Sequence, residues 1–464
     1  MKNRKAIPDK GPTLTTWGAT RAVSGSMHML ATGKHQILLD CGLNLEPNSQ
    51  RRNDEFPFDP RDIDAVVLSH AHLDHSGNLP TLVKHGFHGP IYCTPATQSL
   101  LFPLLVDSAK VQTRKISTYQ GDNSVLYNEY DVHQTLKLLK SIPYDCPLTP
   151  VDDAQCTFHD AGHVLGSALI HVQFSNGTRD RSLTFTGDLG RLSFPFLKPV
   201  SALPESDLIV SEATYGGRFH DNQPSLESKF ASVVQRTIEQ GGKVLIPAFS
   251  LGRVQLIVHT LMKLIRQGKL DKVPIYVDSP LAIEILQIMK EHLDLFASNI
   301  SDVWNTKEEF LQADNVHYVL EANESTALAE DGQPCIIVAS SGMGEGGRII
   351  NHMKHAIDDS RCTIILVSHQ SSGSLGSRLL QPGPTVRFAG REWNKWAEVV
   401  QLQGFSGHAD QGDLMQLLLP HVETGSRIKL VHGEETSMLA LQYALNSGDS
   451  SQIQIAETGE CAII

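Results

Sequence analysis

The chain has 464 residues, ordinary apolar content and a formal net charge of −12, so it is long enough for two or three domains with cores of their own. The net negative charge argues against binding of nucleic acid through the overall charge of the protein, although it is compatible with a local basic groove. No stretch approaches the ~18 consecutive apolar residues of a membrane span. The basic first residues are followed by Pro8 and Asp9 where a signal peptide needs an apolar core. We therefore expect a cytoplasmic protein without membrane contact.

The cysteines point to a reducing environment. All seven are scattered, with no Cys-x-x-Cys pair: Cys41, Cys93, Cys146, Cys156, Cys335, Cys362 and Cys461. This pattern is neither a disulfide framework nor a thiolate zinc site, so we interpret them as reduced and mostly structural thiols.

The first half of the chain reads as short strands and helices. Residues 14–42 contain three β runs separated by glycines, typical of a meander, and Asp40 ends the third run. An apolar run at 65–68 predicts a buried strand, and Pro80 suits the first turn of a following helix. A further strand is predicted at 90–94, a helical stretch at 107–142, and strands again from about residue 156.

The pattern changes from about Pro224. Continuous apolar runs at 243–247, 274–278, 335–339 and 363–367 alternate with helical segments. Such runs are typical of a parallel sheet that helices cover on both faces. After about Leu402 the strand-and-turn style of the first part returns, so the sequence predicts a second domain of different architecture within the first.

The densest chemical motif directly follows the run at 65–68. His70, His72, Asp74 and His75 lie within six residues, on a predicted strand-to-helix turn where side chains can converge. Imidazole and carboxylate groups without a thiolate suit a catalytic zinc-type site better than a structural one.

The same theme recurs along the chain. An apolar run ends in a polar candidate ligand at several further positions: His163, Asp188, Glu212, His408 and His432. Each residue alone is weak evidence, because a loop His is usually solvated and a turn Asp is common. Coincidence explains the whole series poorly, so we interpret these residues as parts of one site.

These motifs together resemble a known family. The His-x-His-x-Asp-His motif at 70–75, followed by His163 and Asp188, resembles the metallo-β-lactamase superfamily. The strand that ends in Glu212 and the segments 406–410 and 431–434 resemble its β-CASP branch, the nucleases of nucleic-acid processing. Further matches lie at 246–253, 339–348 and 370–378. From about Leu14 onward the chain resembles the nuclease subunit of the cleavage and polyadenylation specificity factor and its bacterial and archaeal relatives.

The resemblance implies an α/β fold, namely an αββα metallo-β-lactamase sandwich with an inserted β-CASP domain that has a helix-covered parallel sheet. The expected domains are 1–216, the N-terminal part of the sandwich; 217–402, the β-CASP domain; and 403–464, the return of the chain to the sandwich.

The resemblance also implies a role for each candidate. Two Zn²⁺ ions per chain are expected, the first held by His70, His72 and His163, and the second by Asp74, His75 and His432. Asp188 would bridge the two ions, and Asp40 would orient the histidine-rich turn from behind it. Glu212 would pair with His408 as the candidate general acid, so His408, Glu212, Asp74 and Asp188 form the expected catalytic set.

The implied activity is hydrolysis of RNA phosphodiester bonds by a hydroxide that the two metal ions activate. Endonucleolytic cleavage is expected, with 5′-exonuclease action as a further mode and with 5′-phosphate and 3′-hydroxyl ends. Single-stranded RNA would enter between the two domains. Ser406, Ser341, Arg348 and Arg378 are the predicted contacts, the two arginines on the RNA backbone. A homodimer is left open.

Three alternatives stay beside this interpretation. A thioester or lactam hydrolase of the same fold is disfavoured by the inserted domain and by Glu212, His408 and His432. A single-stranded DNA nuclease is disfavoured because the DNA-directed branch typically lacks a His at the position of His432. A non-catalytic RNA-binding scaffold of a processing complex is disfavoured because no expected ligand is missing.

Overall fold

The computed structural model describes residues 11–46, 53–118, 125–174, 180–193, 196–304, 306, 309–368, 370, 373–446 and 452–464. The chain forms two compact units. The first unit contains Met1–Phe219 and His408–Ile464, and the second unit contains His220–Gly407.

The N-terminal part of the first unit supplies most of its strands. They are β1 (Thr13–Thr16), β2 (His28–Ala31), β3 (Gln36–Leu39), β4 (Ala65–Val67), β5 (Ile91–Cys93), β6 (Leu139–Ser141), β7 (Pro147–Val151), β8 (Ala154–Asp160), β9 (Ala168–Phe174), β10 (Arg181–Phe185) and β11 (Leu208–Glu212). The helices are α1 (Leu73–Ser76), α2 (Leu79–Lys84), α3 (Pro95–Thr118) and α4 (Glu129–Leu136), with a 3-10 turn at Pro60–Asp62.

The helical stretch predicted at 107–142 is wrong in its extent. Helix α3 begins earlier and ends at Thr118, α4 begins at Glu129, and β6 follows it. The start of α4 is fixed by a capping box, in which the Asn128 side chain accepts from the N–H of Asp131 and the Asp131 carboxylate accepts from the N–H of Asn128. The helix that Pro80 can begin is present as α2.

The second unit contains a different set of elements. Its helices are α5 (Gln223–Glu239), α6 (Arg253–Arg266), α7 (Pro280–Glu291), α8 (Ala322–Glu330), α9 (Ile349–Ala356) and α10 (Leu375–Leu380), with 3-10 turns at Leu293–Leu295 and Ser298–Asp302. Its strands are β12 (Val244–Pro247), β13 (Ile275–Asp278), β14 (Val316–Tyr318), β15 (Ile336–Ala339), β16 (Thr363–Leu366), β17 (Thr385–Phe388), β18 (Arg391–Asn394) and β19 (Glu398–Gln401). Six of them form a parallel sheet in the order β14-β13-β15-β12-β16-β19.

The last part of the chain returns to the first unit with α11 (Gln411–Glu423), β20 (Arg427–Val431), α12 (Glu435–Leu445), β21 (Ile453–Ile455) and β22 (Glu460–Ile463). These strands complete two seven-stranded sheets, of order β22-β1-β2-β3-β4-β5-β6 and β21-β20-β11-β10-β9-β8-β7. Strand β20 pairs in parallel with β11, with Val431 opposite Glu212. The next residue, His432, therefore leaves the sheet beside the end of β11.

The two sheets pack face to face over a common apolar core, which includes Leu14, Leu39 and Val67 from one sheet and Phe158, Ile170 and Phe185 from the other. The second sheet buries its outer face against α11 and α12, through residues such as Leu414, Leu418 and Leu441. This arrangement follows from strands that are apolar on both faces. The predicted αββα sandwich with an inserted parallel-sheet domain is thus confirmed. Among the described helices, none combines the length and apolarity needed to cross a membrane.

Candidate metal centre

The candidate side chains come from five separate segments of the first unit. The turn after β4 carries the histidine-rich motif, and the β8–β9 connection carries His163. Asp188 follows β10, Glu212 ends β11, and His432 follows β20. Since neighbouring strands β10, β11 and β20 run parallel, their carboxyl ends lie at one edge of the sheet. The sheet therefore brings these polar residues to one place.

One group of four side chains converges closely. His70, His72, His163 and Asp188 each offer an atom within 4.8 Å of the others. His70 Nε2 lies 3.0 Å from His72 Nδ1, which lies 3.4 Å from His163 Nε2. Asp188 Oδ2 lies 3.5 Å from Nε2 of both His70 and His163. These separations define a small cage lined by three nitrogens and one oxygen.

The cage has the dimensions of a tetrahedral zinc site. Ligand atoms held about 2.0–2.1 Å from a tetrahedral Zn²⁺ lie about 3.3 Å from one another. Four of the six separations in this group run from 3.0 to 3.5 Å, and the other two are within 4.8 Å. Three imidazoles with one carboxylate are also a donor set that suits zinc. The residues present therefore fit the metal that the sequence predicts.

A second group of Asp74, His75 and His432 lies beside the first. His75 Nε2 is 3.1 Å from His432 Nε2, which is 3.4 Å from Asp74 Oδ2. Asp188 Oδ1 lies 3.1 Å from His75 Nε2, while its other oxygen faces the first group. One carboxylate thus presents one oxygen to each group, which is the arrangement that a bridging ligand requires.

Asp40 supports the histidine-rich turn from behind. Its carboxylate is fully buried and accepts from the N–H of Ser69 at 2.8 Å and from the hydroxyls of Ser26 and Ser69. His75 Nδ1 lies 2.7 Å from the Asp40 Oδ2 atom. With Nδ1 donating to this carboxylate, a neutral His75 ring has its lone pair on Nε2, which faces the second group.

The electrostatic environment of the first ligand group favours the protonation states that bind a metal ion. Burial lowers the pKa of His70 and of His163 well below the usual value, and burial lowers that of His72 to about 4. Burial raises the pKa of Asp188, but the nearby His432 and His75 outweigh it and hold that pKa well below its usual range. Neutral imidazoles around an ionised carboxylate are the protonation states that bind a metal ion, and the first group has them. In the second group burial lowers the pKa of His75, but the carboxylates of Asp188 and Asp40 outweigh it and hold that pKa well above its usual value.

His408 and Glu212 form a pair at the border of the first group. His408 Nδ1 lies 3.1 Å from both oxygens of the fully buried Glu212 carboxylate. The opposite ring atom, Nε2, lies 3.9 Å from Asp188 Oδ2. Burial lowers the pKa of His408, but the carboxylates of Glu212 and Asp188 outweigh it and raise the pKa to about 9. His408 can therefore carry a proton next to the candidate ligands.

The predicted RNA contacts lie in the second unit. The guanidinium of Arg348 donates to Asp278 Oδ1 at 2.6 Å and to the carbonyl oxygens of Val319 and Leu320. Arg378 Nη1 donates to the carbonyl of Gly373, while Ser406 is buried and Ser341 is partly exposed. The contact of these four residues with RNA stays a prediction, and Arg348 also ties together three segments of its own unit.

Sequence reasoning missed residues that hold the ligands in place. The Thr214 hydroxyl lies 3.1 Å from His432 Nδ1, and the Ser69 hydroxyl lies 3.1 Å from His70 Nδ1. The Ser167 hydroxyl accepts from the N–H of His163 at 3.0 Å. A signal was available, because each is a hydroxyl residue in or next to a ligand-bearing segment, but the sequence does not say which hydroxyl meets which ring.

Comparison with known families gives three matches along the chain. Residues 20–248 match the family model of the metallo-beta-lactamase superfamily. Residues 254–379 match that of the Beta-Casp domain, and residues 396–455 match that of the Zn-dependent metallo-hydrolase RNA specificity domain.

Individual proteins match over most of the chain. Ribonuclease TTHA0252 of Thermus thermophilus is 35% identical over 453 residues, which cover 96% of this chain and 99% of that protein. Transcription termination factor FttA of Methanosarcina mazei is 31% identical over 448 residues, covering 93% of this chain and 68% of that protein. A crystal structure of a protein of unknown function from Enterococcus faecalis has a TM-score of 0.53 at 15% identity, over 98% of this chain and 100% of that one. This last likeness concerns the fold alone.

Proposed function

Because the chain belongs to the β-CASP branch of the metallo-β-lactamase superfamily, we propose that it is a zinc-dependent ribonuclease that hydrolyses phosphodiester bonds of single-stranded RNA. The observation that carries the proposal is the pair of adjacent ligand groups that share Asp188. Endonucleolytic cleavage is the proposed main mode, with 5′-exonuclease action as a further mode.

The proposed cofactor is two Zn²⁺ ions per chain. His70, His72, His163 and one oxygen of Asp188 would hold the first ion, and Asp74, His75, His432 and the other oxygen would hold the second. Two such ions, when bound, supply positive charge for the phosphoryl oxygens and make a water molecule nucleophilic at neutral pH. Asp40 fixes the orientation of His75, so the second ligand group is already arranged in the protein.

His408 is the proposed general acid. Its Nδ1 atom is occupied by the Glu212 carboxylate, which leaves Nε2–H to face the ligand groups. In the proposed reaction the bond from phosphorus to the 3′ oxygen breaks, and that oxygen keeps the electron pair. Nε2 donates its proton to the leaving oxygen. The attacking water loses one proton to the solvent and its oxygen forms the new bond to phosphorus, so the products carry 5′-phosphate and 3′-hydroxyl ends.

Substrate contacts are proposed at Ser406, Ser341, Arg348 and Arg378. Hydroxyl and guanidinium groups are common partners of phosphate oxygens, because both donate hydrogen bonds to them. A few local contacts of this kind are compatible with a chain of net charge −12. A homodimer, which would increase the surface available to RNA, stays a prediction.

The decisive experiment compares metal content and cleavage in three proteins. Wild type, Asp74→Ala and the control Asp152→Ala are purified, and zinc is measured by plasma mass spectrometry. Asp152 is an exposed residue in the turn between β7 and β8, so its variant tests for unspecific effects of losing an aspartate. Each protein is then incubated with 5′-labelled RNA and with single-stranded DNA of the same sequence.

We expect bound zinc and RNA cleavage in wild type and Asp152→Ala, and a loss of cleavage in Asp74→Ala. Absence of zinc from wild type, or equal cleavage by wild type and Asp74→Ala, would overturn the proposal. Equal cleavage of DNA and RNA would favour the nuclease of broader substrate range instead. A ladder of products indicates endonuclease action, whereas release of single nucleotides from the 5′ end indicates exonuclease action.

A further inference from the structure

His432 has an unusual backbone conformation that two other segments hold in place. Its φ angle is +47°, in the left-handed region that few residues other than glycine adopt. Its N–H donates to the carbonyl of Ala19 at 2.7 Å. Its carbonyl accepts from the N–H of Ala213 at 3.2 Å and from the hydroxyl of Thr214 at 3.0 Å. The position of this side chain is therefore set by residues far from it in sequence.

The hydroxyl of Thr214 contacts His432 twice. Thr214 Oγ1 lies 3.0 Å from the His432 carbonyl oxygen and 3.1 Å from the ring atom Nδ1. A carbonyl oxygen can only accept, so the single hydroxyl proton goes to it. The hydroxyl oxygen then has lone pairs for Nδ1, and the hydrogen of that second contact must come from the ring. Both contacts are hydrogen bonds at the same time only when the imidazole hydrogen is on Nδ1.

We propose that Thr214 is a positioning residue whose hydroxyl selects the Nδ1–H tautomer of His432 and so presents the lone pair of Nε2 to the second ligand group. This inference rests on the metal centre of the proposed function. His432 Nε2 lies 3.1 Å from His75 Nε2 and 3.4 Å from Asp74 Oδ2, which are the other members of that group. The opposite tautomer would point an N–H at this group and leave Nδ1 without its hydrogen beside Thr214.

The other near neighbour of Nδ1 does not compete with Thr214 for this hydrogen. Asp188 Oδ1 lies 3.5 Å from His432 Nδ1, which is longer than an N–H···O hydrogen bond, and it faces the second ligand group. His75 provides the parallel within the same group, because its Nδ1 lies 2.7 Å from the Asp40 carboxylate. The two histidines of the group are thus oriented by different partners, one by a carboxylate and the other by a hydroxyl.

The end of β11 contacts both His408 and His432. Glu212 holds His408, the Tyr215 ring stacks on His408 at a centroid distance of 6.0 Å, and Thr214 between them holds His432. Four consecutive residues of one turn therefore position both histidines that the C-terminal return contributes. This short turn therefore contacts both His408, the proposed general acid, and His432 of the second ligand group.

The test compares Thr214→Val with Thr214→Ser. Valine has nearly the same shape without the hydroxyl, whereas serine keeps the hydroxyl without the methyl group. Thr135→Val serves as the matched control, because Thr135 is a buried residue of α4 whose hydroxyl donates to the carbonyl of Asp131, remote from the ligands in sequence. Zinc binding is measured by competition with a fluorescent chelator, and the tautomers by long-range ¹H–¹⁵N correlation spectra of metal-free protein labelled with ¹⁵N-histidine.

We expect Thr214→Val to bind its second zinc equivalent about 10–100-fold more weakly, in the range typical of residues that orient metal ligands. Thr214→Ser and Thr135→Val should keep wild-type binding of both equivalents. In metal-free wild type, His432 should give the spectrum of an Nδ1–H tautomer, and in Thr214→Val that signature should be lost or mixed.

An Nε2–H tautomer of His432 in wild type would overturn the inference, as would wild-type zinc binding in Thr214→Val or equal losses in the Val and Ser variants. The spectrum of the wild type decides the matter even where Thr214→Val does not fold. Absence of zinc binding in wild type would count against the proposed function, whereas the tautomer in the metal-free protein tests the role of Thr214 separately.

Discussion

Replacing Glu212 by Gln removes one buried negative charge with little change in side-chain size. Each oxygen of the Glu212 carboxylate lies 3.1 Å from His408 Nδ1. At this separation a carboxylate and an imidazolium attract each other by about 5 kcal/mol if the effective dielectric constant is ~20. Burial lowers the pKa of His408, and Glu212 is the largest influence that raises it. The substitution should therefore shift His408 toward its neutral form.

The expected consequence is slower cleavage with an altered pH profile. A positioned general acid contributes about 10²–10⁴ in rate, so we expect Glu212→Gln to slow single-turnover cleavage of labelled RNA by about 10²- to 10³-fold. Because the acid must be protonated, the rate falls as pH rises through the pKa of His408. In the variant this fall should occur at lower pH.

Two further measurements separate catalysis from stability. Glu212 also accepts from the N–H groups of Leu189 and Thr214, so the variant should lose about 1–3 kcal/mol of unfolding free energy. Glu227→Gln is the matched control, since Glu227 is a buried carboxylate paired with Lys263 in the second unit. It should keep the wild-type rate, and all variants should keep the wild-type zinc content.

A double-mutant cycle with His408→Ala tests the reasoning directly. If Glu212 acts only through His408, the double variant is no slower than His408→Ala alone. A wild-type rate for Glu212→Gln, or losses that multiply in the double variant, would refute the assignment of these two residues to one unit.

Three further outcomes are expected. Burial raises the pKa of Asp160 to about 6, above its value in the unfolded chain, so folding stability is lost as pH rises through this range. In urea unfolding, Asp160→Asn should be about 1–3 kcal/mol more stable than wild type at neutral pH and no more stable below about pH 4. An equal gain in stability at both pH values would contradict this. Truncation after Leu402 removes His408, His432 and the interior strand β20, so the fragment should neither cleave RNA nor bind the second zinc equivalent, and an active fragment would be contrary evidence. In filter binding, Arg378→Ala should lower RNA affinity and reduce the slope of log affinity against log salt by about 1. Arg348→Ala should have the same effect and in addition lower the melting temperature, because it removes a partner of the buried Asp278. Unchanged salt slopes in both variants would argue against contact of these arginines with RNA.

Much of the fold was accessible from local patterns. The apolar runs at 243–247 and 335–339 became parallel strands of one sheet, because continuous apolar segments must be covered on both faces. The helix that Pro80 can begin is present, whereas the stretch at 107–142 is divided between α3, α4 and β6. The capping box at Asn128 and Asp131 was the local signal that marks the start of α4.

The burial of two histidines could not be predicted from local sequence patterns. Neither His28 nor His352 belongs to a motif of the candidate site, but both are buried, and His352 Nε2 lies 2.6 Å from Asp278 Oδ2. These two partners are 74 residues apart in the chain. No periodicity within a segment reports a contact of that range, so the burial of His352 could not be predicted from its surroundings in sequence.

The sequence by itself determined which side chains are available at the candidate site and at which strand end each one lies. It did so because ligand-type residues stand directly after apolar runs, and because their motifs resemble those of a known family. The resemblance also predicted which residues share a metal ion, including His432, which lies 357 residues after His75.

Only the tertiary structure decided which atoms face one another. It places one oxygen of Asp188 toward each ligand group, commits the guanidinium of Arg348 to Asp278, and sets the Thr214 hydroxyl against His432 Nδ1. The physical reason is that a change of a few tenths of an ångström in the donor–acceptor distance decides whether a hydrogen bond forms. Between Thr214 and His432 such a separation arises from the parallel pairing of β11 with β20, which joins segments more than two hundred residues apart in the chain.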